Sequence, residues 1–263
     1  MDLGFKNRIA VVTGGSSGIG LAAARLLLGE GARVAICGRD ANRLETAKRE
    51  LVALPGADVL AQSCDVLDRA DVERFAHAVA AWSGDKVDLL VNNAGQGRVS
   101  TFATTSDDDW RQELGLKIFS QTLPIQAFKS QLERSDAAAI VGVNSLLALQ
   151  PEPHMVATAA ARASVQSLLK SLSVEFAPHI RVNSILLGLV ESGQWQRRFE
   201  TRADKAETRD AWFANLARSK HIPLGRLGQP EEAARAILFL GSPAASYITG
   251  ASLEISGGVS RHI

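Results

Sequence analysis

The chain has 263 residues, with 29 Lys and Arg against 28 Asp and Glu, so its formal net charge is +1. This balance excludes attraction to nucleic acid or to an anionic membrane surface by bulk charge. Two cysteines are too few for a disulfide framework, the N-terminus lacks the features of a signal peptide, and no apolar run approaches ~20 residues. We therefore expect a cytoplasmic protein with neither a nucleic-acid nor a membrane partner.

Short apolar runs alternate with longer segments of helical period along most of the chain. In chain order, the runs predict strands at Arg8–Thr13, Arg33–Cys37, Asp58–Gln62, Val87–Val91, Ala138–Val143 and Ile180–Leu187. The intervening segments predict helices at Ile19–Leu28, Asp40–Leu54, Arg69–Trp82, Asp107–Leu132 and Val156–Phe176. Nearly continuous apolar strands separated by helices indicate βαβ units and a parallel sheet covered on both faces.

The last part of the chain has a different pattern. Residues 193–222 are polar and charged with four interspersed aromatic residues, which predicts a helical lid above the sheet edge. Pro230 then begins a helix and Ser252–Ile255 supplies a last strand. We predict one α/β domain over residues 1–263, a Rossmann-type doubly wound parallel sheet of about seven strands flanked by helices.

A glycine-rich turn follows the first predicted strand. Glycines allow a tight turn and close approach of a pyrophosphate, and the helix N-terminus behind them offers free N–H groups. The alternative is an ordinary glycine-rich turn, but its position after the first strand of a βαβ series favours a dinucleotide site. The residues expected to bind the cofactor here are Gly14, Ser16, Ser17, Gly18, Ile19 and Gly20.

The end of the second strand indicates which dinucleotide is bound. An NAD site has an acidic residue there to bind the ribose hydroxyls, whereas this chain has Gly38 followed by Arg39. A guanidinium can bind a 2′-phosphate through two hydrogen bonds, so we expect NADP(H) in preference to NAD(H). The alternatives are a solvated surface charge for Arg39 and a helix-capping role for Asp40.

Further motifs occur in order along the chain. They are Asn92-Asn93-Ala94-Gly95, Asn144-Ser145, Arg181-Val182-Asn183-Ser184 with Gly188, Gly225–Glu232, and Thr249-Gly250-Ala251 with Gly257-Gly258. Together with the glycine-rich turn, these resemble the short-chain dehydrogenase/reductase family, close to its 3-oxoacyl-carrier-protein-reductase-like branch. The resemblance implies that Asp65 and Val66 contact the adenine, that Asn92, Ala94 and Gly95 line the cofactor cleft, and that Gly188 and Val190 lie near the nicotinamide.

The same resemblance implies a catalytic Ser, a Tyr-x-x-x-Lys motif and an Asn, but only the serine is present. Ser145 follows the fifth strand, Thr158 stands where the tyrosine belongs, Arg162 replaces the lysine, and Lys117 replaces the asparagine. The one tyrosine of the chain, Tyr247, lies far downstream. Because an aliphatic hydroxyl is far less acidic than a phenol, Thr158 is a poor proton source, although it can donate a hydrogen bond.

Two other side chains are candidate proton donors. Lys117 is expected to project toward the space that the phenol leaves, and burial beside Arg162 would lower its pKa. The second is His154 on the loop before the Thr158 helix, because a histidine can transfer protons. Their alternatives are a surface lysine and a structural loop histidine. Arg162 stays charged, so it can bind ribose hydroxyls but cannot exchange protons. No residue is expected to bind a metal.

Three functions fit these residues. The first is an NADP(H)-dependent short-chain oxidoreductase that acts on a carbonyl or alcohol substrate with an atypical proton donor. The second is a non-redox lyase, hydratase or cyclase, and the third is a cofactor-binding pseudoenzyme without turnover. By resemblance we also expect a homotetramer or homodimer, because relatives pair through the helices after strands four and five.

Overall fold

The computed structural model describes residues 2–202 and 205–261 and contains one sheet of seven parallel strands. The strands are β1 (Ile9–Thr13), β2 (Arg33–Gly38), β3 (Val59–Ser63), β4 (Leu89–Asn92), β5 (Ala139–Ser145), β6 (Arg181–Leu187) and β7 (Ser252–Ile255). The helices are α1 (Gly18–Gly29), α2 (Ala41–Val52), α3 (Arg69–Ser83), α4 (Asp107–Leu132), α5 (Val156–Glu175), α6 (Gly193–Thr201), α7 (Arg209–Ser219) and α8 (Pro230–Gly241). The predicted doubly wound fold is confirmed.

The strand order β3-β2-β1-β4-β5-β6-β7 reverses direction between β1 and β4. All strands are parallel, so their carboxyl ends lie along one edge, where Thr13 pairs with Cys37 and Ser145 pairs with Leu187. Ligands of such sheets bind outside the carboxyl ends at the reversal point. The glycine-rich turn, the Asn92–Gly95 loop, Ser145 and Gly188 come at or after the carboxyl ends of β1, β4, β5 and β6, so they lie along this edge, whereas the motif that begins at Arg181 lies at the amino end of β6.

Side chains alternate between two apolar layers along the buried strands. In β1, Ala10 and Val12 face the layer that contains α1, α2 and α8, while Ile9 and Val11 face the layer of α3, α4 and α5. The four residues are at most 4% exposed. Because both faces are covered by helices, the strands are apolar on both sides, which is why the sequence shows runs rather than alternation.

Helices α6 and α7 form the predicted lid, of which residues 203 and 204 lie outside the described part. Their apolar faces pack into a third cluster built on Phe213 and Ala217, with Trp195, Phe199 and Trp212 against it. The aromatic residues of this segment thus pack the lid together. Within the described ranges, no helix is long and apolar enough to cross a membrane.

Candidate active site

The glycine-rich turn after β1 is shaped by backbone contacts that exclude side chains. A Cβ on Gly20 would lie 2.3 Å from the carbonyl oxygen of Gly14, and Gly14 and Gly18 have φ values of +66° and +55°. The first turn of α1 has no acidic residue, and the Ser17 side chain makes no capping hydrogen bond. The orphan N–H groups of α1 and its positive dipole end therefore suit a pyrophosphate.

Asn93 ties this turn to the loop after β4. Its Nδ2 donates to the carbonyl oxygens of Thr13 at 3.0 Å and Gly14 at 3.2 Å, while its backbone N–H and that of Ala94 donate to Thr13 Oγ1. Asn92 instead faces α4, with Nδ2 donating to the Gln121 carbonyl at 3.1 Å. Sequence reasoning named Asn92 and not Asn93, although the Asn-Asn-Ala-Gly motif was the signal for both.

At the end of β2, Arg39 and Asp40 have different environments. Asp40 caps α2, since its carboxylate accepts from the Arg43 backbone N–H at 3.0 Å and from the Arg43 guanidinium at 2.7 Å. Arg39 is exposed, forms no ion pair with any residue in the described ranges, and lines a cleft of about 400 Å³ that Gln96 and Arg98 also line. A free guanidinium beside the cofactor crevice is the arrangement that a 2′-phosphate requires.

The remaining predicted cofactor residues lie on loops at the same edge. Asp65 accepts a hydrogen bond from the Leu67 backbone at 3.0 Å, and Val66 is buried. Gly188 follows β6 and donates to the Ile255 carbonyl at 3.0 Å. Val190 is buried and its backbone bridges to that of Gly228 at the base of the lid.

Ser145 ends β5 and its hydroxyl is held by backbone groups. Its Oγ donates to the Leu187 carbonyl at 3.3 Å and accepts from the Leu147 N–H at 3.2 Å. A bond of 3.3 Å is long for a hydroxyl donor. The Ser145 proton therefore costs little to redirect toward a substrate oxygen.

Lys117 lies on the inner face of α4 and is 2% exposed. Its Nζ donates to the Gln96 carbonyl at 2.6 Å and to Glu113 Oε2 at 3.0 Å. Burial lowers the pKa of Lys117 to about 8, and the charge of Arg162 lowers it as well, while Glu113 opposes the shift. An ammonium with a pKa near neutrality matches what a proton donor needs.

Thr158 lies near the start of α5 and is 2% exposed. Its Oγ1 is 2.7 Å from Glu113 Oε2 and 3.1 Å from the Arg98 carbonyl, and it accepts from the Arg98 N–H at 3.1 Å. A hydroxyl has one proton, so it satisfies one of these two acceptors at a time. This hydroxyl anchors the loop after β4 to α5.

Arg162 is half-buried one turn after Thr158. It donates through Nη1 to the Val143 carbonyl at 3.0 Å, whereas its buried Nε has no hydrogen-bond partner among the residues that the structure describes. Its Nη2 is 3.9 Å from where a Cβ on Gly95 would be. Desolvation lowers the pKa of Arg162 to about 10, so it remains cationic at neutral pH.

The unpartnered Nε is an observation that fits a bound cofactor. A buried donor without a partner costs free energy, and a ribose hydroxyl in the cleft beside Gly95 is an acceptor of the right kind. Together with the glycine cradle, this donor set fits a dinucleotide.

His154 and Tyr247 lie on the surface. The His154 side chain is 47% exposed and its Nδ1 is 3.7 Å from Glu152 Oε2. The structure does not pair it with Ser145, Lys117 or Thr158. Tyr247 is fully exposed in the turn before β7 and so does not occupy the crevice of its own chain.

Besides Asn93, the sequence motifs did not indicate Glu113. It is 5% exposed and its Oε2 contacts both Thr158 and Lys117. The available signal was the spacing of four residues between Glu113 and Lys117, which places an acid and a base on one face of α4.

Comparisons with known proteins show the family to which the chain belongs. The profile of the family described as Enoyl-(Acyl carrier protein) reductase matches residues 14–260. The 3-oxoacyl-[acyl-carrier-protein] reductase FabG of Chlamydia trachomatis serovar D is 32% identical over 258 residues, which cover 96% of this chain and 97% of that protein.

Solved structures are similar over the whole chain. A short-chain oxidoreductase from Pseudomonas aeruginosa PAO1, described as containing an atypical catalytic center, is 58% identical, with a TM-score of 0.94 over 97% of this chain and 98% of that one. Its NADPH-bound form has a TM-score of 0.92 over 98% and 100% of the two chains. L-sorbose reductase from Gluconobacter frateurii, complexed with NADPH and L-sorbose, is 30% identical with a TM-score of 0.94 over 100% of both chains. The chain belongs to the short-chain dehydrogenase/reductase family.

Proposed function

We propose that this protein is an NADP(H)-dependent oxidoreductase that interconverts a carbonyl compound and its alcohol, with Lys117 as the proton donor in place of a tyrosine. The observation that carries the proposal is the buried Lys117 ammonium beside Arg162 on the inner face of α4, with its pKa lowered to about 8. The NADPH complexes of the Pseudomonas oxidoreductase and of L-sorbose reductase support the cofactor.

The cofactor would be held along the carboxyl edge of the sheet. The glycine-rich turn would bind the pyrophosphate, Arg39 the 2′-phosphate and Arg162 the nicotinamide ribose. The residues expected along the rest of the cleft are Asp65, Val66, Asn92, Ala94, Gly95, Gly188 and Val190. NADPH, when bound, supplies the hydride, and a preference over NADH follows from the free charge of Arg39.

The chain's own residues would manage the substrate oxygen and the proton. Ser145 would donate its weakly held hydroxyl hydrogen to the oxygen and orient it. Lys117 would then transfer one proton from Nζ to that oxygen and keep the electron pair as a neutral amine. Thr158 is a weaker candidate, because its single proton is shared between Glu113 and the Arg98 carbonyl. His154 is weaker still, because its exposed side chain pairs with Glu152.

The test is Lys117→Met, measured by the absorbance of NADPH with an acetoacetyl thioester and L-sorbose as carbonyl probes. Loss of a positioned acid should lower kcat by about 10²–10⁴-fold. NADPH affinity, measured by fluorescence titration, should remain within a few-fold of the original.

Lys129→Ala is the matched control, because Lys129 is on the same helix but its exposed side chain pairs with Glu133. This control should keep full activity. Unchanged kcat in a folded Lys117→Met variant would exclude Lys117 as the acid.

A cofactor-binding protein without turnover is the second candidate. It is favoured by the mutual satisfaction of Lys117, Glu113 and Thr158, whose polar groups already bond to one another. This candidate predicts that NADPH quenches protein fluorescence while neither carbonyl probe is consumed. The oxidoreductase predicts instead that NADPH binds and that a carbonyl probe is consumed.

A further inference from the structure

Glu113 is a buried carboxylate that connects three segments of the site. From α4 its Oε2 lies 3.0 Å from Lys117 Nζ on the same helix and 2.7 Å from Thr158 Oγ1 on α5. Through Thr158 it is also linked to the loop after β4, because that hydroxyl contacts the backbone N–H and carbonyl of Arg98. One oxygen therefore joins α4, α5 and the loop.

Two charged side chains act on the Lys117 ammonium. The Arg162 cation on α5 lowers the pKa of Lys117, whereas the Glu113 carboxylate on α4 raises it. From the loop after β4, Lys117 meets the Gln96 carbonyl, while the Arg98 guanidinium of that loop pairs with Asp109. Among the described residues, Glu113 is thus the anion that offsets two neighbouring cations.

We propose that Glu113 is a positioning residue that keeps Lys117 protonated and aimed at the crevice, and that it thereby sets the pH range of the reaction. The inference rests on the proposed role of Lys117 as proton donor. Glu113 itself transfers no proton to the substrate; it holds one N–H of the ammonium while the Gln96 carbonyl holds a second. In the described part of the chain Nζ has these two acceptors, so the third N–H of the ammonium is available for a substrate oxygen.

The direction of the pH effect follows from the charge. Burial and Arg162 already lower the pKa of Lys117, and Glu113 opposes them. Without the carboxylate charge, the pKa of Lys117 should fall further. Because the donor must carry its proton, the reductase rate of the unmodified protein should fall as pH rises through about 8. In Glu113→Gln this fall of the rate at high pH should occur about 1–3 pH units lower.

The experiment compares Glu113→Gln, Glu113→Asp and the unmodified protein. The Gln variant keeps the shape and loses the charge, whereas the Asp variant keeps the charge on a shorter side chain. The kcat–pH profile is measured with the carbonyl probes, and Lys117 is titrated directly by NMR of isotope-labelled lysine, its signal being the one missing in Lys117→Met. In Glu113→Gln we expect the fall of kcat at high pH and the NMR titration of Lys117 to shift to lower pH by the same amount. In Glu113→Asp both should return most of the way to the values of the unmodified protein.

Glu133→Gln is the matched control, because Glu133 pairs with Lys129 at the same spacing near the exposed end of α4. It should change neither measurement. Thermal unfolding verifies that each variant is folded. If Glu113→Gln does not fold, Glu113→Asp is compared with Glu113→Ala, and the Asp variant must shift the titration of Lys117 less than the Ala variant does.

The two proposals fail in different ways. An unchanged Lys117 titration in folded Glu113→Gln would overturn the role of Glu113. A shifted titration with a kcat that is indifferent to Lys117→Met would instead overturn Lys117 as the donor and leave the electrostatic coupling intact. Lys117 would likewise be excluded as the donor if the NMR titration of Lys117 shifted in Glu113→Gln while the fall of kcat at high pH stayed at the same pH.

Discussion

Two adjacent residues at the end of β2 have opposite charges and separate tasks. Asp40 is committed to the N-terminus of α2 through two bonds with Arg43, whereas Arg39 makes no ion pair within the described ranges. A carboxylate so engaged is poorly placed to bind ribose hydroxyls. We therefore propose that Arg39 determines the selectivity between the two dinucleotides.

Replacing Arg39 by Ala should weaken NADPH binding much more than NADH binding. Hydrogen bonds to charged groups contribute about 1.5–3 kcal/mol, which corresponds to roughly 10–100-fold in Kd. The dissociation constants of both cofactors are measured by fluorescence titration. Arg49→Ala, an exposed residue on α2, is the control and should alter neither. Equal weakening for both cofactors would show that Arg39 does not contact the 2′-phosphate.

At the scale of elements, α1 and the glycine-rich turn act as one unit. The helix approaches the turn so closely that a Cβ on Gly20 would overlap the Gly14 carbonyl, which is backbone and cannot rotate away. The same helix ends at Gly29, where an added Cβ would meet nothing within 4 Å. Gly20 therefore has no room for a side chain, whereas Gly29 does.

Gly20→Ala should therefore abolish NADPH binding and lower the free energy of unfolding by about 1–3 kcal/mol, the usual cost of overpacking. Gly29→Ala should leave binding intact and raise the free energy of unfolding by up to about 1 kcal/mol, because Ala favours the helix over Gly. Denaturant unfolding and fluorescence titration of both variants measure these effects. Equal effects of the two substitutions would contradict the close contact at Gly20.

At the scale of the whole molecule, the outer faces of α4 and α5 expose apolar side chains. Phe119 on α4 is 52% exposed and Val174 on α5 is 73% exposed. By their resemblance to the helices through which relatives pair, we infer that a second copy covers these two helices. The exposed apolar side chains support that assembly, since charged side chains at an interface core are disfavoured.

Light scattering at micromolar concentration should therefore report a dimer or tetramer. Phe119→Glu should shift the population toward smaller species, because it would bury an unpaired carboxylate between two copies. Val52→Glu, a change of a half-exposed residue at the end of α2, is the control and should leave the mass unchanged. A monomeric unmodified protein would contradict the assembly.

The fold and the position of the cofactor crevice could be predicted from the sequence because their signals are local. Apolar runs, helical periodicity and the glycine-rich turn at Gly14–Gly20 each occupy a few consecutive residues, and parallel connectivity then brings the strand ends together. Family spacing likewise predicts Ser145, Lys117, Thr158 and Arg162 as site residues. That Thr158 takes the place of the family's tyrosine is a prediction from this spacing.

The partners of those side chains could be known only from the tertiary structure. Glu113 contacts Thr158 across 45 residues of chain, and Lys117 meets the Gln96 carbonyl across 21. Nothing in the local sequence indicates that the Thr158 hydroxyl is engaged by Arg98 or that His154 turns toward Glu152. The Glu113–Lys117 pair is local to α4, but the burial of Lys117 and the charge of Arg162 near it arise only when α4, α5 and the loop after β4 pack together, and both lower the pKa of Lys117.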